Sequence, residues 1–339
     1  MLLQVARRRQ SLGTLPAVAD APIPYQWPTA VPWNAPQPAL VPTYDGSDQP
    51  THPSVVDMVA ETGRPWHGYR YWMAHTPYPN GNALLENPSI VVSNNGYDWH
   101  DTEVGITNPI VPHPGGPGGQ YNSDSDIAWD PERRRMWMIH RTTYPASTCN
   151  VLHTTDGLTW TTTEPLFALG STMFVSPCLV RIGPALWRMF AIGEDTNGRQ
   201  ILYKDAASPA GPWGATMTAT VTYGAIGATD TRTIGADGKT IWHMDINAPT
   251  AAGIMRGAVV TYPVGRIHPM TSNDGGVTWV VGPAILANAP SGWDYSAWLY
   301  RPTIVADGGH YLLWYPAHGQ SGAPTYIGVA RIPASLWPS

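Results

Sequence analysis

One hairpin signature recurs along this chain and limits what it can become. Ser93-Asn-Asn-Gly-Tyr-Asp-Trp99, Thr154-Thr-Asp-Gly-Leu-Thr-Trp160 and Ser272-Asn-Asp-Gly-Gly-Val-Thr-Trp279 share a hydroxyl residue, an Asp or Asn, a glycine and a closing tryptophan. The carboxylate or amide bonds backbone amides inside the turn, the glycine takes positive φ, and the indole packs the hairpin against its neighbours. Ser208-Pro-Ala-Gly-Pro-Trp213 ends the same way without the Asp, and Trp337 stands near the end of the sequence. Trp99, Trp160, Trp213, Trp279 and Trp337 are separated by 61, 53, 66 and 58 residues. A repeat of this length suits a propeller blade of four strands with generous loops.

Strand patterns fall into step with the tryptophans. Alternating aromatic segments at 69–75, 135–140, 186–191, 258–262 and 311–315 read as second strands. Third strands follow at 88–93, 150–155, 200–204, 266–272 and 326–331. The innermost strands read His52-Pro-Ser-Val-Val56, Ser125-Asp-Ile-Ala-Trp129, Val175-Ser-Pro-Cys-Leu-Val180, Ile241-Trp-His-Met-Asp245 and Tyr300-Arg-Pro-Thr-Ile304. No stretch carries a sustained helical period. The expected fold is therefore all-β: a five-bladed β-propeller over residues 45–339, preceded by an extended Pro-rich N-terminal arm, residues 1–44.

Composition narrows the partners. The 34 Gly and 35 Pro would suggest disorder, but 43% of residues are hydrophobic and 13% charged, so these residues serve turns between short buried strands. A formal net charge of −5 argues against nucleic acid. Without an apolar run of membrane-spanning length, no membrane insertion is expected. The arginines of Met1–Arg9 follow the short apolar run rather than precede it, which does not match a signal peptide. Cys149 and Cys178 lack metal-ligand spacing and read as buried free thiols.

Propeller ligands sit where the inner strands begin. Those positions and their neighbours offer His52, Glu86, Asn87, Asp124, Asp126, Ser176, His243, Asp245 and Arg301, a polar ring with a contribution from each blade. The repeated hairpins resemble the Asp-boxes of sialidase-like propellers, which are folding devices on the outside of the blades. Residues 45–339 resemble the five-bladed propellers of the glycoside hydrolase 32/43/68 type. Closest is the variant with His-Pro-x-Val-Val, Tyr-x-Tyr-Trp-Met-Ala-x-Thr-Pro-Tyr and Glu-Asn-Pro-Ser-Ile, here His52–Val56, Tyr69–Tyr78 and Glu86–Ile90. Similar propellers occur among tail proteins of actinobacteriophages.

The hydrolase pattern implies an Asp base or nucleophile on blade one, a tuning Asp on blade two and a Glu acid on blade three. Asp126 matches the second. His52 and Ser176 stand at the other two positions, so Glu86, Asp124, Glu194 or Asp245 would have to substitute. Two such carboxylates about 6.5–9.5 Å apart would suit inverting hydrolysis. The expected catalytic set is Asp126, Glu86 and Asp245. The expected ligand-binding set is His52, Asn87, Asp124, Ser176, His243 and Arg301. No cofactor is expected, save that the resemblance leaves room for a central metal ion near His243.

Because the hydrolase set is incomplete, the leading expectation is a bacteriophage minor tail protein, present in several copies in the virion. It would be made in the host cytoplasm, anchored to other tail proteins through residues 1–44, and would recognise a host cell-wall glycan. The alternative is an active glycoside hydrolase cutting an arabinose- or galactose-rich envelope polymer. A third reading is a purely architectural propeller.

Overall fold

Among the described residues, twenty strands gather into five sheets, each running from an inner strand outward. The computed structural model describes residues 38–101, 105–115, 119–143, 148–167, 173–195, 198–223, 241–261, 266–287, 293–294, 298–318 and 324–339. Most of the arm, residues 1–37, therefore lies outside the described residues. Among the described residues no helix is long and apolar enough to cross a membrane.

Blade one holds β1 (Pro50–Asp57), β2 (Tyr71–Pro77) and β3 (Ser89–Ser93). Blade two holds β4 (Asn122–Asp130), β5 (Arg135–Thr142), β6 (Thr148–Thr154) and β7 (Thr161–Phe167). Blade three holds β8 (Met173–Gly183), β9 (Leu186–Asp195), β10 (Gly198–Ala206) and β11 (Met217–Thr218). After β12 (Thr220–Tyr223), blade four holds β13 (Ile241–Ile246), β14 (Met255–Thr261), β15 (Ile267–Ser272) and β16 (Thr278–Val281). β12 runs parallel to β16 and lies on the outer edge of blade four. Blade five holds β17 (Trp298–Leu299), β18 (Thr303–Asp307), β19 (His310–His318) and β20 (Thr325–Pro333). The all-β, five-bladed expectation is borne out.

The hairpin signatures staple blades together. Asn95, Asp156 and Asp274 each accept two backbone amides through Oδ1, while Ser93, Thr154 and Ser272 accept the amide of the following glycine. That glycine lies against an aromatic of the preceding blade. A Cβ on Gly157 (φ +73°) would come within 2.7 Å of Trp72, and one on Gly276 (φ +88°) within 2.4 Å of Phe190. Both the left-handed backbone and the close approach demand glycine. Ring closure also uses the chain ahead of β1. Ala39 and Val41 are buried with Tyr71 and Trp99 of blade one and Trp314 and Val329 of blade five, and the Ala39 amide bonds Ile327 O.

Around the axis, a second ring of contacts joins inner strands. Ser54 Oγ accepts from Ile127 N, Asp126 Oδ2 from Leu179 N, Asp245 Oδ2 from Ile304 N and Thr303 Oγ1 from Val55 N. The remaining junction is made by Cys178, whose thiol donates to Met244 O at 3.3 Å. Ser54, Asp126, Cys178, Asp245 and Thr303 thus occupy one equivalent position per blade and close the ring.

Candidate metal-binding site at the propeller axis

Two residues ahead of each latch stand His52, Asp124, Ser176, His243 and Arg301. At this point the ladder slips in four inner strands: between Thr51 and Ser54, Ser123 and Asp126, Val175 and Cys178, and Ile241 and His243. In blade five the strand breaks altogether between β17 and β18. His52, Asp124 and Ser176 sit at φ of 51°, 52° and 55°, a conformation uncommon for residues with a Cβ. Pro53, Pro177 and Pro302 follow three of the five site residues, as expected where a ladder is interrupted. The bulges bring these side chains together at the axis; strain of this kind is held where function uses it.

His52, Asp124 and His243 converge, with one ligand atom from each within 4.8 Å of the others. His52 Nε2 lies 3.2 Å from Asp124 Oδ1, and His243 Nδ1 lies 3.5 Å from the same oxygen. Hydroxyls hold one nitrogen of each ring: His52 Nδ1 by Thr76 Oγ1 at 3.0 Å, and His243 Nδ1, the atom that also faces Asp124, by Ser176 Oγ at 3.2 Å. Apart from the 3.2 Å approach of the first two to each other, His52 Nε2, Asp124 Oδ1 and His243 Nε2 are buried and make no hydrogen bond. Unsatisfied polar atoms are costly in a protein interior, and three from one cluster call for a ligand.

The electrostatics suit a cation. Burial pushes His52 down to about 4 and His243 well below the ordinary imidazole value, with Asp124 pulling the other way, so both rings are neutral ligands at pH 7. Burial opposes ionisation of Asp124, but His52, Arg141, His243 and Arg301 outweigh it and hold the carboxyl below the usual range. Arg141 Nε donates to Asp124 Oδ2 at 2.8 Å, which fixes the carboxylate and leaves Oδ1 facing the imidazoles.

Glu86 borders the cluster, its Oε2 3.5 Å from His52 Nδ1 and accepting from Ser123 Oγ. Burial, with Asp124 adding to it, raises Glu86 to about 8, although the Ser123 hydrogen bond and Arg141 oppose the shift. It therefore carries a proton at neutral pH. Asn87 lies behind it, bridging Tyr44 and Asn122.

The remaining expected site residues engage partners outside this cluster. Arg301 is fully buried on the axis and donates to Ser125 O, Asp126 Oδ1 and Pro177 O. Asp126 and Asp245 form a separate cluster with Cys178. Both Asp126 oxygens are engaged, Oδ1 by Ser54 and Arg301, Oδ2 by the Leu179 amide. The side chain of Glu194 lies outside the described residues.

Sequence reading missed Thr76, Ser123, Arg141, Tyr300 and His318. Tyr300 packs over His243 with ring centroids 4.1 Å apart, and His318 over Tyr300 at 4.3 Å. The one available signal was their place at or beside strand ends level with the bulges.

No family model matches the chain. A 90-residue stretch, 26% of this chain, is 46% identical to the A type blood N-acetyl-α-D-galactosamine deacetylase of Flavonifractor plautii. It spans only 11% of that protein's length. The structure resembles that of an N-acetylgalactosamine deacetylase from F. plautii, with TM-score 0.72 and 21% identity over 90% of this chain and 97% of the other. It also resembles the β-xylosidase RS223, with TM-score 0.64 and 12% identity over 88% and 95%. A GH43 β-xylosidase/α-arabinofuranosidase from a compost metagenome gives TM-score 0.63 and 10% identity over 89% and 95%.

These matches correct the expectation of a phage minor tail protein. The sequence match is to a bacterial enzyme, and the structural matches are to carbohydrate-active enzymes. The tail reading rests on an incomplete hydrolase set, and a departure from one catalytic pattern does not exclude an enzyme. What stands is a five-bladed β-propeller with the architecture of GH43-type enzymes.

Proposed function

We propose that this protein is a metal-dependent hydrolase that removes the acetyl group from an N-acetylated hexosamine. The observation that carries this reading is the meeting of His52, Asp124 and His243 at the axis, all buried, with one ligand atom from each within 4.8 Å of the others. Two neutral imidazoles and one carboxylate are the donor set of a divalent transition-metal site. A cation bound there supplies Lewis acidity, polarising a carbonyl oxygen and acidifying water. Thr76 and Ser176 orient the two rings, Arg141 orients Asp124, and Glu86, beside His52, is placed to exchange a proton with a leaving amine. Tyr300 offers an aromatic face beside His243. The 46% identity to the F. plautii deacetylase supports this choice of bond.

The test is acetate release from an N-acetylgalactosamine-terminated oligosaccharide by the full chain, stripped with chelator and reloaded with zinc, manganese or calcium. Activity should return with a divalent ion and fall by roughly 10³-fold in His243→Ala. A second reading, cleavage of a glycosidic bond, is favoured by the likeness to β-xylosidases over 88% of the chain. Against it, both Asp126 oxygens are engaged, Oδ1 by Ser54 and Arg301 and Oδ2 by the Leu179 amide, and Asp245 Oδ2 accepts from Ile304 N and Thr303 Oγ1. Release of xylose or arabinose from aryl glycosides, with no acetate from any N-acetylated sugar, would replace the first reading by the second.

A further inference from the structure

The far ends of β1 and β4 carry a second pocket. Asp57 and Trp129 lie five residues beyond His52 and Asp124 along these strands, about 17 Å at ordinary strand rise, so they mark the opposite face of the propeller. There β1 leads into a short helix, Met58–Thr62, capped by Asp57 and ended by Gly63. The segment after the helix, the β4–β5 turn and the hairpin of blade two enclose a pocket of about 590 Å³. That volume is in the range of small-ligand sites, ~300–1,000 Å³.

Its lining combines two indoles with charge. Trp66 and Trp129 meet edge to face with centroids 5.4 Å apart, and both stay partly exposed. Neither indole N–H has a hydrogen-bond partner among the described residues. Trp66 is backed by Trp72 at 4.6 Å, which fixes its plane. Arg64 and Arg134 line the same pocket, both exposed and neither in an ion pair among the described residues, whereas nearby Arg133 and Arg181 are paired with Asp130 and Glu132. Glu61 supplies an acceptor for hydroxyl groups.

We propose that this pocket binds an acidic carbohydrate. Rigid indole faces accept the apolar face of a pyranose, free indole N–H groups and Glu61 suit its hydroxyls, and two unpaired guanidinium groups suit a carboxylate or sulfate. The site is remote from the axis and does not rest on the reaction proposed there. It would hold an acidic glycan chain on the face opposite the metal-binding cluster.

The experiment titrates the full chain with hexasaccharides of chondroitin sulfate, hyaluronan and maltose, following tryptophan emission and calorimetric heat. Binding of either acidic probe, weakened by salt and absent for the neutral one, is expected; the two acidic probes separate sulfate from carboxylate recognition. Arg64→Glu combined with Arg134→Glu should weaken binding by at least about tenfold, and Trp66→Ala should do the same. Because Trp66 also packs on the core, the charge-reversal pair, confined to exposed side chains, is the deciding variant. His243→Ala should bind as the parent does. Equal binding of the neutral probe, undiminished binding by the charge-reversed protein, or loss of binding in His243→Ala would overturn the proposal.

Discussion

Two clusters share the propeller axis. His52, Asp124 and His243 form one; Asp126, Cys178 and Asp245 form the other, and Arg301 donates to Asp126 from the axis. Both are fully buried and hold carboxylates beside potential ligands. They differ in satisfaction. Each member of the first presents an atom without a partner, while none in the second does. Burial and charge alone therefore do not distinguish a working site from a structural one. Hydrogen bonding separates the two: the carboxylates of the second cluster close the blade ring, while the first combines convergence with buried atoms that make no hydrogen bond.

The largest expected effect tests the structural half of this contrast. Asp126→Ala leaves Arg301 buried without its carboxylate and removes one latch, and should cost about 3–5 kcal/mol in denaturant unfolding. His52→Ala, measured without metal, should cost less than half of that, since it removes a neutral ring with one hydrogen bond, to Thr76, and leaves no buried charge without its partner. Equal losses would erase the distinction between the clusters.

Acid unfolding sharpens the contrast next. His75 and His140 also carry unpartnered ring nitrogens, but neither belongs to a convergent set. Burial depresses both to about 4 from the ordinary 6.5. Between these values the unfolded chain binds more protons than the folded one, so stability is complete above about pH 6.5 and is lost as pH falls toward 4. The loss is at most roughly 3 kcal/mol per histidine. His140→Leu should flatten this acid limb in thermal melts taken from pH 7 to 4. An unchanged limb would mean that burial does not hold the ring neutral.

The smallest effect concerns the ligand half. Zinc or manganese at about 100 times its dissociation constant should stabilise the parent by about 2.7 kcal/mol. The same addition should do nothing for His243→Ala and should act fully on Ser54→Ala, which loses only a latch. Stabilisation of His243→Ala by metal would place the ion elsewhere.

Much of the fold was legible in residues. The Asp/Asn-Gly…Trp hairpins state their own geometry, because the turn bonds are local and the glycine is irreplaceable beside a neighbouring aromatic ring. The candidate ring was legible in part: His52, Ser176, His243 and Arg301 stand in the inner strands read from sequence, but the blade-two counterpart expected there, Asp126, lies two residues past the equivalent position, which is Asp124. Their division of labour was not. Asp124 and Asp126 are two residues apart on one strand, and nothing in Ser-Asp-Ser-Asp says which carboxylate a neighbouring blade will engage. Arg141 and Thr76 were invisible for the same reason, since their partners come from other strands.

By itself, then, the sequence determined the number of blades, the order of strands and the ends of strands where polar groups gather. These follow from local turn chemistry and the two-residue period of a strand. Tertiary structure decided which polar groups are satisfied. A hydrogen-bond partner from the next blade lies 50 or more residues away in the chain, and only ring closure brings Leu179 to Asp126 while leaving His52, Asp124 and His243 facing one another.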